Sequence, residues 1–310
     1  GINKGYVIKY FRENSTLADA QALGSNTIAI GPQAIAGGDS SFAAGYNASS
    51  AGDESTAVGF NASASGYSSS AFGDHASATG DDSTALGQHS TASGGKSSAT
   101  GFNSTAYGYK STADGAGAYA EGNNSFAGGS GSYAGDHATA VGNAASASGE
   151  NSVAMGNNAN AYGYRATAVG NASYANYKGT AIGNKAFAST YGTALGNEAD
   201  ALGNYSTALG SHAYAGGEWS FAGGNKAAAY GTSSIALGAS SIAEGNYSTA
   251  VGRQSEAVGE ASTAMGSGAY AGGDFSTAIG RASSAAGLSS TALGTNANAY
   301  GDNSVAVGRE

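Results

Sequence analysis

The chain of 310 residues contains no cysteine, one proline, one tryptophan and few charges. Without cysteine there are no disulfides and no thiolate metal centres. Collagen needs glycine at every third residue together with abundant proline, and neither condition holds. Charged residues make up only 11% of the chain, too few for a typical disordered segment. The net charge of −9 offers no cationic stripe to neutralise phosphates, which argues against nucleic acid as a partner. No apolar run reaches the length of a membrane span, and no signal-peptide pattern is visible. The first residue is Gly1 rather than Met, so a processed or recombinant fragment is expected.

What the chain has is glycine, 53 of them, spaced by seven. The step is seven from Gly24 to Gly129 and again from Gly196 to Gly308, with three steps of six ending at Gly135, Asn176 and Ser189. A period this short is one strand and one turn, repeated, and therefore a solenoid. Numbered within each heptad, position 7 is Gly, position 5 is Ala (Ser50 departs), and position 3 is Ser or Ala, with Thr27, Gly179 and Gly192 as variants. Alternation along a strand puts positions 3 and 5 on one face and 4 and 6 on the other. A face that admits only very small residues looks into a narrow space, so two thin sheets must press together. Gly at position 7 is expected to supply a positive φ or a close backbone approach at the turn.

Position 6 reveals a repeat twice as long. In alternate heptads it reads Val58, Phe72, Leu86, Val141, Met155, Val169, Ile182, Leu195 and Leu209, then Leu237, Val251, Met265, Ile279, Leu293 and Val307. In the others it is mostly polar or small, as at Ser65, Thr79, Ser93 and Ser148. One coil is thus about fourteen residues and two strands, with an apolar outer face on one strand only. Where position 6 shrinks to Ala44, Gly128 or Gly223, position 4 becomes Phe42, Phe126 or Phe221, which suggests that the ring fills the missing volume. The three six-residue heptads all fall on the polar strand.

An interior of Ala and Ser buries little surface against a backbone ordering cost of about 1–2 kcal/mol per residue. The external aliphatic file, at about 1.5–3 kcal/mol per fully buried side chain, is the larger reserve. Self-association along it, with parallel chains in cyclic symmetry, is expected. Periodicity alone does not choose between two and three subunits.

No catalytic or cofactor-binding set emerges. His75, His89, His137 and His212 sit at position 2 near turns on different coils and read as exposed turn residues, not metal ligands. Gly94-Gly95-Lys96-Ser97 resembles the end of a phosphate-binding loop but lacks the earlier glycine and the strand-to-helix context. Thr100 and Asp114 interrupt the aliphatic file, and Asp114 is expected to turn toward solvent. Aromatics collect on the polar strand. Stacked coils should bring Tyr107, Tyr119 and Tyr133 together, and likewise Tyr162, Tyr174 and Phe187. These two groups and Trp219, at a turn, are the candidate contact surface.

The fourteen-residue unit, as in Asn151-Ser152-Val153-Ala154-Met155-Gly156-Asn157-Asn158-Ala159-Asn160-Ala161-Tyr162-Gly163, resembles the head repeat of trimeric autotransporter adhesins, the YadA-like heads. Asn303-Ser304-Val305-Ala306-Val307-Gly308 is close to that family's signature hexamer, and the resemblance runs over about residues 18–308. It implies an all-β fold, a left-handed parallel β-roll assembled as a parallel homotrimer. It also implies a non-enzymatic adhesin on the surface of a Gram-negative bacterium, anchored in the outer membrane through regions absent here. Implied partners are a host matrix protein, a cell-surface receptor, a like adhesin or an abiotic surface. With threefold symmetry, Val58, Leu86, Val141, Val169, Leu209, Val251, Ile279 and Leu293 are expected at the axis. No neck-like segment precedes Glu310, so a head fragment is expected. Residues 1–17 do not follow the repeat and are expected to cap the roll, leaving 18–310 as the head. The alternative is an ice-binding solenoid, since Thr56, Thr84, Thr112, Thr139, Thr167, Thr180, Thr193 and Thr207 recur at position 4. Burying the aliphatic file would bury those threonines with it.

Overall fold

The computed structural model describes residues 15–309. The expected cap therefore lies almost wholly outside the described residues. Two units are distinguished, residues 1–131 and 132–310. Each is an all-β parallel solenoid in which two-residue and three-residue strands alternate, and no helix occurs among the described residues. Among the described residues the first unit has eight strands of each kind, from Gln21–Ala22 to Phe126–Gly128, and the second has thirteen of each, from Tyr133–Ala134 to Val305–Val307. The coils thus number about twenty, at about fourteen residues each, as the repeat predicts.

Short strands pair only with short strands and long with long, always in parallel and one coil apart. Thr56, Ala57 and Val58 face Ser70, Ala71 and Phe72, for example, and Ser63 and Ala64 face Ser77 and Ala78. The hydrogen bonds continue through the turns. Glu54 N–H donates to the Asp39 carbonyl at 2.7 Å, and Gly59 N–H to the Ala44 carbonyl at 2.9 Å. Backbone amides are thereby satisfied coil upon coil, as a parallel sheet covered on one face requires.

Ala57, Ala64, Ala71 and Ala208 are all 0% exposed, so the two sheets of each unit meet through methyl groups. Position 3 is buried beside them. Hydroxyls preceding short strands return to the local backbone: Ser90 donates to the Gly87 carbonyl at 2.8 Å and Ser104 to that of Gly101 at 3.0 Å. Of those preceding long strands, Thr27 and Ser125 do the same, whereas others such as Ser55, Ser69 and Ser206 are buried without a hydrogen-bond partner. A buried unpaired hydroxyl costs about 1–3 kcal/mol. The interior is narrow and regular but contributes little stability.

The heptad glycines do two different things. Gly59, after a long strand, has φ +139, and a β-carbon there would also collide with the Gly73 carbonyl oxygen. Gly66, after a short strand, has no positive φ; a β-carbon there is excluded by the Gly80 carbonyl and Asp81 nitrogen of the next coil. The remaining left-handed residue of each turn is position 2, which the repeat does not flag because it is rarely glycine. Asn61 (φ 53), His75 (φ 56), Tyr205 (φ 58) and Trp219 (φ 58) all adopt it. Asparagine recurs at this position because it tolerates that region best.

The volume exchange read from the sequence is present. A β-carbon at Gly128 would lie 2.7 Å from Cε1 of Phe126, and one at Gly223 would lie 2.8 Å from Cε1 of Phe221. The same exchange occurs on the short strands, where Tyr214 covers Gly216 and Tyr270 covers Gly272. Two of the six-residue heptads lose their position-7 residue and place glycine three residues further on. At Gly179 a β-carbon would meet the Ser189 carbonyl oxygen at 2.8 Å, and at Gly192 it would lie 3.0 Å from the Ser189 nitrogen. Shortening the turn moves the close approach, and the glycine moves with it.

Two outcomes follow from this packing. Ala208→Leu must force a larger side chain between sheets that hold a methyl group, and overpacking costs about 1–3 kcal/mol or more. Thr79→Leu, at an exposed position 6, should stay within about 0.5 kcal/mol of the parent. Thermal melts that rank the two equally would mean that the faces are reversed. The second concerns Asp200, which pairs in register with Phe187 and Tyr214. Burial, with a smaller contribution from the Glu198 charge, raises its carboxyl above the usual range. A raised carboxyl favours the fold while protonated, and that contribution is lost as pH rises through its folded value. Asp200→Asn should therefore raise the melting temperature at pH 7 and lose its advantage near pH 3; an advantage that grows on acidification would refute the burial effect.

Candidate surface sites on the turns and outer faces

The third residue of each long strand projects outward, so the aliphatic residues form a file within each unit. In the first, Val58, Phe72 and Leu86 are successive register partners, followed by Thr100, Asp114 and Gly128. In the second the file includes Val141, Met155 and Val169, then Leu195 and Leu209, then Val251, Met265, Ile279 and Leu293. In the single chain Leu86 is 49% exposed and Ile279 40% exposed, whereas Val58, Val141, Val169, Leu209, Val251 and Leu293 are half-buried. Asp114 is exposed in the single chain. The position-4 threonines share this outer face with the aliphatic file.

Among the aromatics of the short strands, Tyr174 and Phe187 are register partners whose rings stack at 5.3 Å and 2°. Tyr162 directly follows the preceding short strand, Asn160–Ala161, and is 64% exposed. Tyr107, 61% exposed, and the half-buried Tyr119 belong to the first unit, while Tyr133 opens the second.

A five-ring aromatic array lies elsewhere, on the turn that leads into the long strands. Tyr164, Tyr177, Tyr191, Tyr205 and Trp219 form one column, with successive centroids at 5.9, 5.5, 4.6 and 4.0 Å. The last two steps are nearly parallel, at 9° and 3°. Cations are interleaved. The Arg165 guanidinium lies 4.9 Å from the Tyr164 ring centre, and Lys178 Nζ lies 5.2 and 5.0 Å from those of Tyr177 and Tyr191. Lys178 also donates to the Tyr191 hydroxyl at 3.3 Å, which raises its ammonium above the ordinary lysine range. Trp219 was legible as an exposed turn residue, but the column was not. Its members occupy positions 1 and 2, and only stacking the coils with two shortened heptads aligns them.

The opposite turn carries a second array in the first unit. Tyr46 stacks on Phe60 at 5.1 Å, Phe60 lies 5.4 Å from His75, and His75 stacks on His89 at 5.0 Å. The histidines at 75 and 89 are thus neighbours on consecutive coils rather than scattered turn residues. His75 is also hydrogen-bonded to Asp74 and lies 3.0 Å from the Asn61 side chain. In the second unit the same turn position joins Lys185, Glu198 and His212, at 3.2 and 2.9 Å. The hydrogen bond and charge of Lys185 hold the Glu198 carboxyl below its usual range.

Most other polar side chains on the turns bind the next coil. Asn171 donates to Asn157 and Asn184 to Asn171, each at 3.1 Å. Asp274 accepts from the Glu260 backbone N–H at 2.8 Å, and Asp302 from that of Leu288 at 3.0 Å. These contacts are structural ladders. Among the described residues no group of three or more His, Asp or Glu side chains is placed to hold a metal ion.

The family model for the YadA head domain repeat (2 copies) matches the chain twelve times. The matches overlap from 22–48 through 106–132, and continue at 134–159, 190–213, 229–255, 257–283 and 285–310. No curated protein matches the chain. Repeated matches over most of the sequence, on a parallel solenoid with fourteen-residue coils, show that the chain belongs to the YadA head-repeat family.

Proposed function

We propose that this chain is the head of a non-enzymatic adhesin that works as a parallel homotrimer on the surface of a Gram-negative bacterium. The carrying observation is the aliphatic file left uncovered on the outer face of the long strands. Its members include Leu86, Leu237 and Ile279, which are 40–49% exposed in the single chain. Such a file exceeds what a monomer usually leaves in water. An interior of methyl groups and unpaired serine hydroxyls does little to offset the ordering cost, so subunit contact along the file is the main source of apolar stabilisation. Threefold packing would place Val58, Leu86, Val141, Val169, Leu209, Val251, Ile279 and Leu293 around the axis.

The interior is sealed, so adhesion must use the outer faces and turns. Weak contacts recurring on three subunits combine by avidity. The partners are of the kinds the family suggests: host matrix, cell-surface receptors, like adhesins or abiotic surfaces.

Sedimentation equilibrium should give three times the chain mass at micromolar concentration, and Leu209→Asp should shift the population toward monomer; a stable parent monomer would sink the assembly. For adhesion, replacing Tyr162, Tyr174 and Phe187 with Ser should weaken attachment in part. Adding the same change at Tyr107, Tyr119 and Tyr133 should weaken it further, with the trimer intact. Unchanged attachment of the sixfold variant would eliminate these surfaces, and complete loss from Trp219→Ala alone would point to one localised site.

A further inference from the structure

Position 2 of the turn leading into the long strands forms a single file in the second unit. Ser233 N–H donates to the Glu218 carbonyl, Tyr247 to Thr232, Ala261 to Asn246 and Phe275 to Glu260, at 2.7–2.8 Å. From Tyr164 to Trp219 every coil contributes a ring to this edge, and each ring covers its neighbour. Beyond Trp219 the pattern alternates: Trp219, Ser233, Tyr247, Ala261, Phe275. The rings now stand two coils apart, with a small residue between them. Exposure records the change. Tyr177 and Tyr205 are 42% and 40% exposed, while Trp219, Tyr247 and Phe275 are 57%, 62% and 60% exposed.

Two strand spacings of about 4.8 Å put these rings about 9.6 Å apart, so a group midway lies about 4.8 Å from each. The chain itself shows what suits that distance. Lys178 Nζ sits 5.2 and 5.0 Å from the Tyr177 and Tyr191 ring centres on this same edge. At the two open slots the intervening residue is Ser233 or Ala261, which has no such charge. The surrounding turn residues are acidic instead: Glu218, Glu260 and Asp274 are exposed there, and no Lys or Arg occurs at positions 1 and 2 of these five turns. Ring faces attract cations, and carboxylates beside them add to the attraction.

We propose that the slots Trp219–Ser233–Tyr247 and Tyr247–Ala261–Phe275 bind cationic side chains of an extended basic peptide segment, one per slot. Arginine fits best, because its planar guanidinium stacks on aromatic faces while its edge reaches a carboxylate. The slot centres repeat at about 9.6 Å, and a polyproline II chain rises about 3.1 Å per residue with three residues per turn, so cations three residues apart fall on one face at a matching spacing. A neutral sugar would leave the carboxylates unused, and an anionic polymer would be repelled by them. This deepens the adhesin reading by naming a partner chemistry. A head that adheres but ignores the peptide would sink the slots alone.

Trp219 is the only tryptophan in the chain, so its fluorescence reports directly on the first slot. The probe is a capped peptide, Arg-Ala-Ala-Arg-Ala-Ala, titrated into the intact protein. A saturable change in Trp219 emission is expected. Binding should weaken about tenfold or more with citrulline in place of arginine, and also when the two arginines are made adjacent. Ser233→Lys should place an ammonium at the first slot and weaken binding similarly; the same turn position already holds lysine at φ 52 in Lys178. Tyr247→Ala provides a second variant, and an unchanged melting temperature confirms the fold of each. An emission insensitive to the peptide, equal binding of the citrulline peptide, or full binding by both variants would overturn the assignment.

Discussion

Everything in this molecule depends on the coil-upon-coil backbone contact. Each strand and each turn hydrogen-bonds to its counterpart about fourteen residues away, and the turns come close enough that glycine is required. At Gly66 the next coil's carbonyl occupies the space of a β-carbon. At Gly59 that exclusion is joined by a positive φ. A repeat held in this way fixes the backbone almost completely and leaves side-chain choice free only where the chain faces outward.

That division separates stability from recognition. Inside, Ala57 or Ala208 can be little else, and buried hydroxyls such as that of Ser206 are left unpaired. Outside, each turn position becomes a column, so any side chain placed there meets its equivalent about 4.8 Å away. Asparagines become the ladder Asn157–Asn171–Asn184, tyrosines become a stack, and alternating rings become slots. The same translation that lines up the aliphatic file within each unit therefore also makes the surface periodic. A partner meets an edge with a fixed spacing rather than a pocket.

The shortened heptads show how local irregularity is absorbed. Dropping one residue at Asn176 and at Ser189 transfers the glycine requirement to Gly179 and Gly192, where the Ser189 backbone approaches. The core Ala column passes through undisturbed, since Ala175 still faces Ala188 and Ala188 still faces Ala201. On the edge, the second deletion separates Tyr177 at position 1 from Tyr191 at position 2; their rings meet across one coil at 5.5 Å, with the Lys178 ammonium beside both.

The sequence by itself determined the solenoid, its fourteen-residue coil, the Ala-lined interior, the one-sided aliphatic file and the pairing of Phe126 with Gly128 and of Phe221 with Gly223. All of these follow from side-chain size repeated at fixed spacing, which is a one-dimensional property. The Tyr174–Phe187 stack was legible for the same reason, because both occupy position 4 of consecutive short strands. The column from Tyr164 to Trp219, the His75–His89 stack and the left-handed position 2 were decided only by the tertiary structure. Those features depend on where turn side chains point, and turn residues obey no hydrophobic alternation that could declare their direction. Only the stacking of coils brings positions 1 and 2 of neighbouring turns into contact.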